Sequence, residues 1–373
     1  MRHHRIYNLL LGVIAVGVLI PTLFQRTYRQ DLDIVLVAAQ NLSHYLPVYV
    51  LNDNPHTKPP LMTLLMIPFT YFQKEWLFRC WDLLNVVTFL FLAYQFNQRL
   101  RLKSLNSFAL VIVVGLCLNQ WNGEIRFGQF NLLMFAGVVL LTWNEKPILL
   151  GAFLSVAVLF KPTNLFLMFW ALLSLKTERW KTLFSFLGGI LLLIFIYILE
   201  FGWPSFLQDH QTWKQFVDGP IASSWMGDLD GLSTWLFRVF GWSPSFISRI
   251  LMILGISLSF WMTWFIKDPV VSSAWMGFLL AVLSPLPFKH NYVLLVGFYS
   301  LALHAISSTQ HKKIKWLVSF GLFLNFVAFQ VYSPTTFHWK VWSLIQPPTL
   351  GFYASTILAF IILSSRGRIY GTV

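Results

Sequence analysis

Acidic side chains are scarce in this sequence: 14 Asp and Glu stand against 27 Lys and Arg among 373 residues, for a formal net charge of +13. Charged residues of both signs reach only 11% while apolar ones make up 57%, far from the roughly half apolar, quarter charged balance of soluble domains. That shortage excludes a soluble globule and defines an integral membrane protein. Cysteine is nearly absent as well. Cys80 and Cys117 each lie inside an apolar run, which argues against a disulfide framework or a cysteine metal site and leaves both as small core residues. The positive charge does not point to nucleic acid, because the basic residues form short clusters between apolar runs rather than one stripe. No low-complexity segment, internal repeat or soluble domain stands out, so residues 1–373 are expected to form a single membrane domain.

Aromatic residues are abundant, and the 17 Trp and 12 Tyr suit the headgroup belts of a bilayer. The opening "MRHHRIYNLLLGVIAVGVLIPTLF" starts like a signal peptide, but its apolar run is about the ~20 residues that span a membrane and no small-residue cleavage site follows. It reads as a retained first helix. Lys and Arg mark cytoplasmic helix ends. They cluster in "MRHHR", "NQRLRLK", "NEK", "KTERWK", "IKD", "HKKIK" and "SSRGR". With every cluster inside, the apolar runs near 6–25, 76–96, 105–120, 129–143, 147–160, 163–175, 182–200, 246–265, 270–287, 292–306, 316–332 and 349–364 give an all-α, polytopic fold of about twelve crossings. The segment 59–72 is short for a span and is expected to lie on the outer surface, with a helix starting near Asp33, inside a first external loop of 26–75. A second external loop covers 201–245. The stretch "LFKPTNLF" is expected to turn a hairpin, sinking Lys161 below the outer surface.

This topology collects the uncommon polar residues on one face: Asp31 and Asp33; "NDNPHTK" with His56 and Lys58; "GEIRFGQFN" with Arg126, Gln129 and Asn131; Lys161 and Asn164; "PFKHNY" with Lys289 and His290; and "FHWK". Glu124, Asp228 and Asp230 read as spread over distant loops. No local His, Asp or Glu spacing suggests a metal site, and no cofactor is expected. A channel or carrier more often keeps polar groups at the midplane of broken helices in both halves of the chain.

Four stretches carry a resemblance to the GT-C class of membrane glycosyltransferases, and more narrowly to glycosyltransferase family 87, the polyprenyl-phosphate-mannose-dependent mannosyltransferases. "DLDIVLVAAQNLSHYLPVY" is similar to the family's acidic residue followed by an alanine-rich helix, and "KPPLMTLLMIPFTYF" to its proline-led segment. "GQFNLLMFAGVVLL" with "GAFLSVAVLFKPTNLFLMFWAL" resembles its Gly-Gln-x-Asn helix and the glycine-led helix ending in Lys-Pro. "LLAVLSPLPFKHNYVLL" resembles its late Ser-Pro segment with an external histidine, although Asn291 stands where the family commonly has a second histidine.

The resemblance implies an inverting hexosyltransferase in the plasma or inner membrane. It would move mannose or a similar sugar from a polyprenyl phosphate to a hydroxyl of a lipid or glycan at the external face. Such a reaction needs a base for the acceptor hydroxyl and fixed cations for the leaving phosphate. The resemblance aligns Asp31, seven residues before Ala38, with the catalytic acid, and Asp33 is its rival. Helical residues two apart point about 200° apart, so the pair cannot serve one atom together. Asp31 also reads as a helix cap, a role that does not exclude chemistry. Lys161 and His290 are the expected phosphate ligands, against plain readings as a snorkelling lysine and an interfacial histidine; Arg126 and Lys289 are weaker ones. Gln129, Asn131, Asn164, His56 and Lys58 are expected around the sugar or acceptor, with capping as the alternative for Gln129 and Asn131. The competing readings are a flippase for lipid-linked sugars, whose cavity needs no base, and an O-antigen-ligase-like polymerase relying on Arg and His.

Overall fold

The computed structural model describes residues 30–49, 58–100, 102, 106–175, 177–218, 232–283, 289–328 and 350–364, and every regular element among them is helical. In chain order these are α1 (Gln30–Ser43), α2 (Pro60–Met66) running into a 3₁₀ turn at Ile67–Tyr71, α3 (Lys74–Arg99), α4 (Asn106–Phe127), α5 (Asn131–Trp143) and α6 (Pro147–Phe160). A 3₁₀ turn at Pro162–Asn164 leads to α7 (Leu165–Ser174), followed by α8 (Arg179–Phe201), α9 (Trp203–Asp218), α10 (Leu232–Phe240), α11 (Pro244–Phe265) and α12 (Pro269–Val282). A 3₁₀ stretch at Lys289–Leu295 then enters α13 (Val296–Ser308), and α14 (Lys312–Phe326) and α15 (Leu350–Ser364) complete the described chain. The expected first helix at 6–25 lies outside the described residues.

Proline placement explains many of these starts. Pro60, Pro147, Pro244 and Pro269 open α2, α6, α11 and α12, where a missing N–H breaks no helical bond. Asp268 strengthens one of them: its Oδ1 accepts from the N–H groups of Val270 and Val271 at 2.7 and 3.1 Å, a cap worth about 1 kcal/mol.

Four described segments are long and apolar enough to cross a bilayer: Lys74–Arg99, Arg179–Phe201, Ser245–Phe265 and Asn291–Ser308. Among the described residues helix length alone marks these four, and the expected count of about twelve crossings is not confirmed. The 13 residues of α5 rise about 20 Å at 1.5 Å each, against a hydrocarbon core of about 30 Å. The shortening has a location. The first residue of α5, the residue after α6 and the turn before α7 are Asn131, Lys161 and Asn164, so all three helices stop at polar residues inside the bundle.

Helices α6 and α8 run parallel. Ser185 Oγ donates to the Ile148 carbonyl at 2.8 Å; a Cβ on Gly151 would meet the Thr182 carbonyl at 2.3 Å, and one on Gly189 would meet Ser155 Oγ at 2.4 Å. Small residues four apart on both helices let the backbones touch, the device by which membrane helices gain packing contact. The chain must therefore return between them, and it reverses at Lys161–Asn164. α7, lying back along the bundle, packs through Phe166 on Gly255 of α11 and through Trp170 Nε1, which donates to Ser272 of α12 at 3.0 Å. The clusters "NEK" and "KTERWK" consequently share one end of the bundle.

α1, expected near Asp33, is described from Gln30, and both aspartates lie in its first turn. Within 201–245, expected as a second external loop, the described residues form α9 and α10, and Gly202, at φ +84°, lets α9 start immediately after α8. One expectation needs correcting: Glu124 is not on a loop but inside α4, fully buried.

Candidate functional site

The first turn of α1 aims its two carboxylates at different partners. Asp33 receives Lys74 Nζ at 2.7 Å, an ion pair across the start of α3. Asp31, on the other side of the turn, accepts from Gln129 Nε2 and faces Lys58 Nζ at 3.9 Å. The separation follows from the helical period, since two residues of rise rotate the side chain by about 200°. Apolar neighbours fix the helix itself: Leu32, Val35, Leu36 and Ala39 are buried.

The second component is the link between α4 and α5. Gly128 takes φ +66°, a left-handed conformation that favours glycine. This allows the Gly128 and Gln129 N–H groups to bond back to the carbonyls of Ile125 and Glu124, both at 3.0 Å. The turn leaves Gln129 pointing to Asp31 and starts α5 at Asn131. Glu124 stands behind it. Its Oε1 accepts from the Leu132 N–H at 3.0 Å and its Oε2 from Asn131 Nδ2 at 3.1 Å, so the carboxylate closes the exposed end of α5.

The third component comes from the reversal after α6. Lys161 Nζ donates to Asn131 Oδ1 at 3.2 Å and to Asn291 Oδ1 at 3.3 Å, while Asn131 Nδ2 also donates to Asn291 Oδ1 at 3.0 Å. The charges of Glu124 and Asp31 attract the ammonium and that of Lys58 repels it. Two bonded clusters, Lys58–Asp31–Gln129 and Glu124–Asn131–Asn291–Lys161, are thus joined through the short backbone from Gln129 to Asn131 into one polar strip, with a carboxylate near one end and an ammonium at the other.

An apolar groove of about 520 Å³ adjoins this strip. Its lining includes Leu32, Phe130 and Phe160, each the chain neighbour of a residue in the strip, and Trp81, whose ring centroid lies 4.4 Å from that of Phe130. The far wall contains Leu84, Val87 and Phe91 on the exposed side of α3, a helix long enough to span the membrane. An apolar face exposed on a spanning helix meets lipid, so the groove joins the polar strip to the bilayer.

The structure thus brings Asp31, Lys58, Gln129, Asn131 and Lys161 together. Asp33 is held apart by Lys74. Asn164 donates through Nδ2 to the Ala157 carbonyl at 2.7 Å, which secures the last turn of α6 rather than presenting an amide to a ligand. Arg126 is placed by its backbone in α4, and Lys289 and His290 by theirs in the 3₁₀ stretch that carries Asn291. His56, Asp228, Asp230 and "FHWK" lie outside the described residues. Sequence reading missed the parts played by Glu124 and Asn291. The available signal was Glu124 itself, an acid seven residues before the amide it holds, in a chain with few acids. Among the described residues no group of three or more His, Cys, Asp or Glu is arranged to hold a metal ion.

Fold and site together define a polytopic helical membrane protein with a carboxylate and a half-buried cation gathered beside a lipid-facing groove. The model of glycosyltransferase family 87 matches residues 56–286. The chain belongs to that family and is a membrane glycosyltransferase. The matched region contains Lys58, Glu124, Gln129, Asn131 and Lys161; Asp31 precedes it and Asn291 follows it. No curated protein matches the chain.

Proposed function

We propose that this glycosyltransferase moves mannose or a similar hexose, with inversion, from a polyprenyl phosphate to a hydroxyl of a lipid or glycan at the external face of the plasma or inner membrane. The observation that carries the proposal is the strip joining Asp31 to Lys161 at the head of the apolar groove. The prenyl chain occupies the groove between α3 and α5, which places its phosphate by Lys161 and the sugar beside Gln129. Asp31 takes the proton of the acceptor hydroxyl, whose oxygen attacks the anomeric carbon from the side opposite the phosphate. The bond from that carbon to the phosphate oxygen breaks, and the departing oxygen takes the electron pair.

Lys161, with His290 from the neighbouring 3₁₀ stretch, offsets the charge that develops there; fixed cations at such a point act most strongly where water is excluded. Lys58 and Gln129 orient the Asp31 carboxylate, and Arg126 and Lys289 are secondary phosphate contacts. A carrier of lipid-linked sugars would need the cations and the groove but no base. The test is transfer from polyprenyl-phosphate mannose to a panel of lipid and glycan acceptors by purified wild type and Asp31→Asn. Wild-type transfer that disappears in the variant supports the mechanism; an equally active variant overturns it.

A further inference from the structure

Glu124 has no part in the reaction just described, yet it is the most deeply placed acid of the site, with 0% exposure. A buried carboxylate is costly unless its oxygens are satisfied. Both are: Oε1 by the Leu132 N–H and Oε2 by Asn131 Nδ2. These bonds have unequal consequences. The first closes a helix end, which any acceptor could do. The second decides which way the Asn131 amide faces. With its Nδ2 committed to the acceptor-only carboxylate, Asn131 must turn Oδ1 toward Lys161, and it is Oδ1 that receives the ammonium at 3.2 Å. Asn291 completes the geometry by accepting from both Asn131 Nδ2 and Lys161 Nζ.

We infer that Glu124 is a positioning residue for the transfer reaction: it locks the Asn131 amide in the one orientation that accepts from Lys161, and so fixes the ammonium that receives the phosphate charge. The inference rests on the proposed role of Lys161. It differs from simple capping of α5 in a way that an isosteric change exposes. In Glu124→Gln the side-chain oxygen still serves the Leu132 N–H, so the cap persists. The new Nε2, however, faces Asn131 as a donor. The Asn131 amide then flips to accept it and presents its own NH₂ to Lys161, donor against donor. Asn131→Asp added to Glu124→Gln removes the conflict, because a carboxylate at 131 accepts from both sides and the net charge of the pair is restored.

The experiment compares wild type, Glu124→Gln, the Glu124→Gln/Asn131→Asp double variant and Lys161→Met. Sugar transfer from polyprenyl-phosphate mannose is followed as kcat and KM, with thermal melting alongside. Glu124→Gln is expected to melt near wild type while kcat falls about 10- to 100-fold, by analogy with the loss when an outer-shell partner that orients a metal-ligating side chain is altered. The KM for acceptor should stay unchanged, and the double variant should recover a substantial part of kcat. Wild-type kcat in Glu124→Gln beside an inactive Lys161→Met overturns the positioning role and leaves Glu124 as a cap. Full activity in Lys161→Met instead removes the proposed phosphate site, and the inference about Glu124 with it. If Glu124→Gln melts early, the double variant decides: folded and active supports the orientation lock, folded and inactive overturns it.

Discussion

Lys74 and Asp33 meet at 2.7 Å, and that contact releases the neighbouring aspartate for other work. Asp33 is committed to a pair between α1 and α3, with a side chain only 16% exposed, whereas Asp31 faces the inner strip. Asn is about as good as Asp near a helix start but cannot take a proton as a carboxylate does. Asp31→Asn is therefore expected to fold normally and to lose about 10² to 10⁴ in transfer rate, the range of a lost general base. Asp33→Asn should keep its activity. Rates of the two purified variants on one donor preparation, with melting curves, check the assignment; the reverse ranking would move the base to Asp33.

Lys161 is the cation at the amide end of the strip, and removing a fixed contact to a developing charge commonly costs about 3 kcal/mol of transition-state energy. Lys161→Met is expected to reduce kcat on the order of 100-fold with little change in the KM for acceptor. Turnover equal to wild type would return Lys161 to the role of a lysine snorkelling from a helix end.

The groove offers a separable test. Val156 lies on its wall, and Val156→Trp should fill it without touching the polar strip. The variant is expected to use a full-length polyprenyl phosphate sugar poorly while retaining transfer from a donor truncated to one or two isoprene units. Equal losses on both donors would place the lipid chain elsewhere.

Packing of α6 on α8 depends on the absence of side-chain carbon at Gly151. Gly151→Val forces the helices apart, and overpacking of this kind costs about 1 to 3 kcal/mol. A lowered melting temperature in detergent is expected; an unchanged one would mean that the helices are not seated so closely.

Orientation in the membrane can be read by labelling. In a background lacking Cys80 and Cys117, Tyr45→Cys, at a 70% exposed position after α1, should react with an impermeant thiol reagent on intact cells. Lys312→Cys, at the start of α14, should react only after permeabilisation. The opposite pattern would place the site on the inner face.

Much of the fold was legible because apolar runs and membrane helices obey the same rule. α3, α8 and α11 fall on expected runs, and the reversal at "KPTN" followed from basic clusters that had to share an end. α9 was missed because its pattern of polar and apolar residues is that of a surface helix, which a scan for long apolar runs does not register. At the site, the separation of Asp31 from Asp33 was visible in the helical period. The bond between Asn131 and Asn291 was not: two amides 160 residues apart carry no local pattern that pairs them. Glu124 was passed over for a different reason: its partners are only seven and eight residues away, but the Gly128 turn that brings them back to it was read as part of a loop.

The distance along the chain between Asn131 and Asn291 also constrains biogenesis. A nascent chain emerging from the ribosome inserts α4, α5 and α6, and with them Glu124, Asn131 and Lys161, long before residue 291 is made. Until the 3₁₀ stretch at Lys289–Leu295 docks, the Lys161 ammonium lacks one of its two amide acceptors in the bundle. Assembly of the full strip is thus a late event in synthesis, and a product truncated before residue 289 would hold the ammonium on the Asn131 amide alone, without the second acceptor at Asn291.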